Sequence, residues 1–344
     1  AALASTKGVP AHPAPFKDSG LCFKTAMALR KRGEAKKPAV ERASPDAGST
    51  PSASSAVPVF PTRRIVVRVV VSVALLAVLY IPARWKSETV TVFASRGEVL
   101  PIKSETVDCS DDYAKDRRLF KDCAPFKCGR VVSDSVVTGE ESSALLSLAK
   151  RGLALSRSDG GASILDLHSG SISLGKKFVN VYRLLENKGT TLFSDNDLKV
   201  YKQVKDKIRS LIGFQFGVKP ELLHLTHPTF FSEMTARPAV TVHDEYWHVH
   251  IDKEQYGSFH YTSLLYLTDY SADFGGGRLF FVDSVRGNAT VEPKRGRVLA
   301  FTSGSENPHF VEKVDSGVRY ALTVSFSCDP SKAIQDPGRP KRSA

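Results

Sequence analysis

The chain has 344 residues, enough for one large or two ordinary domains. At 42% hydrophobic and 24% charged, with five cysteines, it is not collagen-like, wholly disordered or a disulfide-held miniprotein. The net charge of +12 invites a nucleic-acid reading, but residues 1–64 alone contribute +7, so the basicity belongs to a tail and no nucleic-acid partner is expected.

Residues 1–64 are rich in Ala, Pro, Ser, Lys and Arg and lack apolar periodicity. Such a segment buries too little surface to offset its ordering entropy, which predicts a disordered, cytosolic basic tail. The block Arg30-Lys31-Arg32 with Lys36-Lys37 reads as part of that solvated tail rather than as a nuclear signal or lipid contact. Residues 65–81 form the most apolar run of the chain, and the span 65–83 predicts one transmembrane signal anchor. As a helix the run reaches about 25 Å, close to a ~27–30 Å hydrocarbon core. Arg68, one turn in, can snorkel beside Arg63 and Arg64, while Tyr80 and Trp85 suit the far interface.

Positive charge flanks this span on both sides, so the cysteines set the orientation instead. Cys109, Cys123, Cys128 and Cys328 all follow it, an even number suited to two disulfides in an oxidising lumen, with three pairings open. A zinc site at Cys123 and Cys128 lacks a nearby second ligand pair. The one glycosylation sequon, Asn288-Ala289-Thr290, also follows the span. Together these predict a single-pass type II membrane protein with its C-terminal domain in the endoplasmic reticulum or Golgi lumen.

A cysteine-containing stem is expected over 84–135 and a helical support region over 136–226. Thr138-Gly139-Glu140-Glu141 is a capping box, followed by the apolar stripe Ala144, Leu145, Leu148 and Ala149 and a stop at Gly152. A second helix begins near Ser194-Asp195 and carries Leu198, Tyr201, Val204, Ile208, Leu211 and Ile212 at three-to-four spacing. From Leu222 onward, short Val-, Thr-, Tyr- and Phe-rich runs alternate with turn residues, as in a β-sandwich or barrel. The fold class is therefore α+β, with a β-rich domain over 227–330 and a C-terminal tail over 331–344.

Most of the histidines fall between His224 and His309. In His250-Ile251-Asp252, a strand would point both polar side chains to one face, where they could grip one metal ion. His309 follows in Ser303-Gly304-Ser305-Glu306-Asn307-Pro308-His309. Two histidines and one carboxylate make the facial triad of non-haem iron, with coordination positions left open. Ten residues on, Arg319 lies in an alternating run with Ala321, Thr323 and Ser325 on its face. A guanidinium projecting into a β-barrel needs a carboxylate or phosphate partner, and a metal-chelating dicarboxylate would supply one.

In this order of His-x-Asp, His and Arg the chain resembles the iron- and 2-oxoglutarate-dependent dioxygenases of the prolyl-4-hydroxylase type. The segment Tyr261 to Tyr270, followed by Asp273-Phe274-Gly275-Gly276-Gly277-Arg278-Leu279-Phe280-Phe281, is similar to that family's strand, turn and Gly-rich strand. The resemblance covers about 227–330. It implies a double-stranded β-helix (jelly-roll) core, Fe(II) on His250, Asp252 and His309, and the distal carboxylate of 2-oxoglutarate on Arg319, with Tyr266 and Thr323 in the same pocket. It also implies ascorbate as reductant, succinate and CO2 as co-products, and hydroxylation of a C–H bond in a protein or small-molecule substrate. Two departures stand out: Ala321 replaces the Ser or Thr common two after the arginine, and Phe230 and Phe231 stand where relatives often place a tyrosine.

Other acidic and histidine motifs have plainer readings. Asp195-Asn196-Asp197 would suit a type II glycosyltransferase, but its place at a helix start favours capping. Asp273-Phe274-Gly275 lacks the other kinase motifs. His243 and His248 lie five apart, not the four of a zincin helix, and with His260 they are expected to pack beside aromatic residues. A non-catalytic binding module on the same fold is the remaining alternative.

Overall fold

The computed structural model describes residues 62–84, 90–186, 192–241, 244–283 and 287–337. Residues 1–61 of the expected disordered tail, the interface residue Trp85 and His243 lie outside them, as do the side chain of Tyr80 and the last residues of the C-terminal tail, whereas 62–64 begin helix α1. Contacts divide the chain into two units, Ala1–Val67 and Arg68–Ala344.

Helix α1 (Thr62–Arg84) falls on the predicted anchor, and its described valines and leucines are exposed. Among the described residues no helix is long and apolar enough to cross a membrane. The side chains of 79–84, which complete the expected span, are not among them.

Seven strands come before the long helix: β1 (Val90–Ala94), β2 (Lys103–Val107), β3 (Cys128–Ser133), β4 (Arg157–Ser158), β5 (Ala162–Leu165), β6 (Ser171–Gly175) and β7 (Lys177–Asn180). Among them lie the short α2 (Asp116–Leu119) and α3 (Gly139–Leu153), with α4 (Val181–Glu186) and α5 (Asp195–Phe216) after. Then come β8 (His224–Thr235), α6 (Asp252–Tyr256), β9 (Tyr261–Tyr266), β10 (Phe274–Gly276), β11 (Leu279–Phe281) and β12 (Asn288–Val291). β13 (Val298–Thr302), β14 (His309–Val311) and β15 (Val314–Ser327) complete the sheets.

The small sheet has the order β1-β12-β11-β14. The large sheet runs β2-β3-β13-β9-β15-β8-β5-β6-β4, with β10 on β15 and β7 on β6. Residues 84–135 are therefore not a stem. β1 completes the small sheet and β2 and β3 extend the large one, because Val131 and Val132 are buried on opposite faces of β3. The region 136–226 likewise mixes helices with strands β4 to β7 rather than being helical throughout.

Strands β3, β9 and β13 of the large sheet are buried throughout, on both faces. One face presents Leu265, Leu322, Val324 and Phe326 to the helices, against Leu145, Leu148, Tyr201, Val204 and Ile208. The other presents Leu264, Tyr266, Leu299, Phe301 and Ala321 to Leu279, Phe281, Ala289 and Val291 of the small sheet. Both helices begin as their sequences dictate. Thr138 accepts from Glu141 N–H in one capping box, and Ser194 accepts from Asp197 N–H in the other. Asp197 is thereby a cap that also pairs with Arg151 at 2.8 Å.

The cysteines pair as Cys109–Cys128 and Cys123–Cys328. The second bond joins the segment before β3 to the residue just after β15, across 205 residues.

Candidate metal centre

His250, Asp252 and His309 converge, with their ligand atoms all within 4.8 Å of one another. The local structure differs from the expected strand. His250 makes a single bridge with His309, each backbone N–H donating to the other's carbonyl at 2.9 and 3.0 Å. Ile251 is then the cap of α6, and Asp252 is its first residue. The two side chains still meet because the chain turns there: His250 Nε2 lies 3.6 Å and His309 Nε2 3.9 Å from Asp252 Oδ1. His309 enters from the small sheet, where β14 pairs it with Phe281.

The groups around the triad fix which atoms face the centre. His250 Nδ1 is 3.0 Å from His248 O, and His309 Nδ1 is 3.0 Å from Asn307 O. A carbonyl only accepts, so each Nδ1 carries the proton and each Nε2 keeps its lone pair for a metal. Asp252 Oδ2 accepts from Thr262 Oγ1 at 2.6 Å, with Ser303 Oγ 2.9 Å further along. That leaves Asp252 Oδ1 toward the histidines. Burial lowers the His309 pKa to about 4, which holds the ring neutral, the form that binds metal.

Arg130 and Asn307 support this arrangement and were not singled out from sequence. Arg130 Nε donates to Asn307 Oδ1 at 2.8 Å, and Asn307 Nδ2 donates to Thr302 O at 2.8 Å. The Arg130 guanidinium also lies 4.2 Å from the centre of the Phe281 ring. The clue in the sequence is the buried polar character of β3, where arginine interrupts an apolar run.

Arg319 lies on β15 with Ala321 and Thr323 on its face, as alternation predicts. Opposite residues of a β-ladder share a face, so Ala321 pairs with Tyr266, and Thr323 with Leu264 and Phe230. Arg319 is 1% exposed. Its Nε donates to Gly277 O at 2.9 Å and its Nη1 lies 3.5 Å from Met234 Sδ. A Cβ on Gly277 would meet Arg319 Cδ at 2.9 Å, and its φ of +66° is also left-handed, so a glycine fits here for two reasons.

Arg319 Nη2 and Tyr266 Oη are both buried and interact with each other, but neither reaches an acceptor at full hydrogen-bond geometry. The guanidinium lies 5.4 Å from the Tyr266 ring centroid. Buried polar groups are nearly always satisfied, so two orphaned donors on one floor fit an anionic acceptor. Burial pushes the Tyr266 hydroxyl up to about 12, so it stays a donor, and burial also lowers the Arg319 pKa. The residues present fit both groups: two imidazoles and a carboxylate for ferrous iron, and two open donors for a carboxylate. Tyr246 and Val314, on the Arg319 side, line a groove of about 360 Å³ together with Arg237, Trp247 and Lys313 among others.

Several other predicted residues fall elsewhere. Asn288 opens β12, half-buried, with its Oδ1 accepting from Asp283 N–H at 3.3 Å, and Thr290 of the sequon is fully buried. His248 is exposed and pairs with Glu245 at 2.8 Å. His260 is buried beside Tyr113 and Phe120. Asp273 closes a turn, accepting from Asp269 N–H at 2.8 Å.

Residues 236–327 match the family model described as 2OG-Fe(II) oxygenase superfamily. The chain is 54% identical over 249 residues to the human protein "2-oxoglutarate and iron-dependent oxygenase domain-containing protein 3", covering 72% of this chain and 77% of that one. It is 52% identical over 268 residues to the Rattus norvegicus protein of the same name, covering 78% and 84%. Among solved structures, it is similar to a prolyl hydroxylase in complex with a hypoxia inducible factor oxygen degradation domain peptide fragment, from Trichoplax adhaerens. That match has 16% identity and a TM-score of 0.40, covering 63% of this chain and 96% of that one. With its two ligand-presenting histidines, single carboxylate and buried arginine in the family's order, the chain belongs to the 2OG-Fe(II) oxygenase superfamily and is a 2-oxoglutarate-dependent dioxygenase.

Proposed function

We propose that this dioxygenase holds Fe(II) on His250, Asp252 and His309 and 2-oxoglutarate on Arg319 and Tyr266, and hydroxylates a C–H bond of a secretory-pathway substrate. The observation that carries the reading is the pair of orphaned donors, Arg319 Nη2 and Tyr266 Oη, on the sheet face that also carries Thr262 behind the Asp252 carboxylate. The iron, when bound, supplies the oxidative chemistry that uses O2 and yields succinate and CO2.

The chain's own residues do the rest. Thr262 and the two backbone carbonyls orient the ligand atoms before metal arrives. Arg319 and Tyr266 fix the far carboxylate of the cosubstrate, and Leu264, Ala321 and the small-sheet phenylalanines exclude water. Ascorbate as reductant is part of the same proposal.

The same proposal includes a type II membrane anchor at 65–83. A helix apolar all round is stable only where apolar surroundings cover it, and α1 has exposed valines and leucines around it. Two disulfides support an oxidising lumen, in the endoplasmic reticulum or Golgi.

The test compares secretory proteins from cells carrying the wild-type chain or His309→Ala by mass spectrometry. One-oxygen additions present with wild type and absent with the variant are expected, with succinate release by the purified chain. A purified chain that binds Fe(II) yet releases no succinate, with or without those candidate substrates, would favour a binding module instead.

A further inference from the structure

The ligand pair His250 and Asp252 has no extended ladder beneath it, only one bridge and a five-residue helix. The support comes from elsewhere in the chain. The loop closed by the Cys109–Cys128 disulfide carries Ser110, Asp112, Tyr113 and Asp116, and these side chains reach both ligand-bearing segments.

Asp116 Oδ2 accepts from Lys253 Nζ at 2.6 Å and lies 3.1 Å from His260 Nε2. Lys253 directly follows the ligand Asp252. Its side chain is 9% exposed, its own N–H donates to Ser303 O at 2.9 Å, and its ammonium lies 5.2 Å from the Tyr113 ring centroid. On the other side, Asp112 Oδ2 accepts from both the N–H and the hydroxyl of Ser305 at 2.6 Å. Tyr113 Oη donates to Glu306 Oε1 at 3.0 Å, and Glu306 Oε1 in turn accepts from Gly304 N–H at 3.2 Å. Ser305 and Glu306 lie in the turn that delivers Asn307 and His309.

Resting on the iron-site reading above, we propose that this disulfide-closed loop is a clamp for the metal centre, with Asp112 and Asp116 as positioning residues. Asp116 holds the Asp252 segment through Lys253, and Asp112 holds the His309 segment through Ser305. Neither aspartate touches the metal. One rigid loop spans two segments that the sheets leave on different elements, so it sets the separation between Asp252 and His309.

The test uses the full chain, stripped of metal and titrated with Co(II), whose visible absorption reports both affinity and coordination geometry. Asp116→Asn and Asp112→Asn are expected each to weaken Co(II) binding about tenfold and to alter the absorption bands, as loss of an outer hydrogen-bonding partner does. Asp116→Glu is expected to recover part of the loss. The control Glu141→Gln breaks an ion pair with Lys207 at 2.8 Å on the far helix and should change neither readout. Asp112→Asn, at a more exposed position, carries the test if Asp116→Asn does not fold. Wild-type affinity and spectrum in both aspartate variants, alongside a lowered Tm, would overturn the clamp and leave the iron site standing. A wild-type chain that binds no more Co(II) than His309→Ala would overturn the iron site, and the clamp with it.

Discussion

At the metal end, each ring nitrogen and carboxylate oxygen not aimed at the centre has a partner, whereas at the guanidinium end Arg319 Nη2 and Tyr266 Oη reach no acceptor at full hydrogen-bond geometry. The first end is assembled from a bridge, a one-turn helix and a three-residue strand, held by hydrogen bonds from several directions. The second joins Arg319 on β15 to Tyr266 on the neighbouring β9 and leaves hydrogen-bonding capacity open. The contrast separates two jobs. On the proposed reading, the protein completes the metal ligands before the metal arrives and leaves the arginine pocket for the cosubstrate to complete.

The largest effect should come from the ligands themselves. Asp252→Ala is expected to weaken Fe(II) binding by more than about 100-fold, beyond the usual cost of losing an outer partner, and to abolish succinate release. Metal titration and turnover assays check both. Arg319→Ala should leave metal affinity near wild type but raise the KM for 2-oxoglutarate by roughly 30- to 5,000-fold, the range for truncating one side of a buried charge pair. Arg319→Lys should not restore it, because an ammonium cannot reproduce the planar fork. An equal loss of metal affinity in these variants would erase the division between the two ends.

Thr262→Val removes the hydroxyl donating to Asp252 and should cost about 10- to 100-fold in metal affinity with little change in the 2-oxoglutarate KM. Tyr266→Phe should have the smallest effect, raising the 2-oxoglutarate KM about 2- to 10-fold, the worth of one ordinary hydrogen bond. A shift in metal affinity instead would move Tyr266 to the other end of the site.

The chemistry was legible in the sequence because it rests on residue types and their order: His250, Asp252, His309 and Arg319 are few, polar and set among apolar runs. Helix α3 was legible from its capping box and apolar stripe, apart from an extra residue at its end, and α5 from its start near Ser194-Asp195 and its apolar period. The early strands were not. β4 has two residues, β2 has no apolar residue except Val107, and β3 is buried throughout, so none shows an apolar period of two in its sequence. The bridge-then-helix geometry of His250 to Asp252 was also hidden, since His-x-Asp alone does not distinguish a strand from a turn. The bracing by Asp112 and Asp116 spans well over a hundred residues, and nothing local marks it.

Strand β15 has a further consequence for how variants of this chain behave. It runs fourteen residues, from just after His309 through Arg319 to the disulfide, and pairs with β8, β9 and β10. Successive side chains of a pleat point to opposite faces, so inserting or deleting one residue between 314 and 319 would turn the guanidinium outward, toward the helices. The position of Arg319 along the strand therefore changes in whole pleats of about 7 Å, in steps rather than by gradual drift.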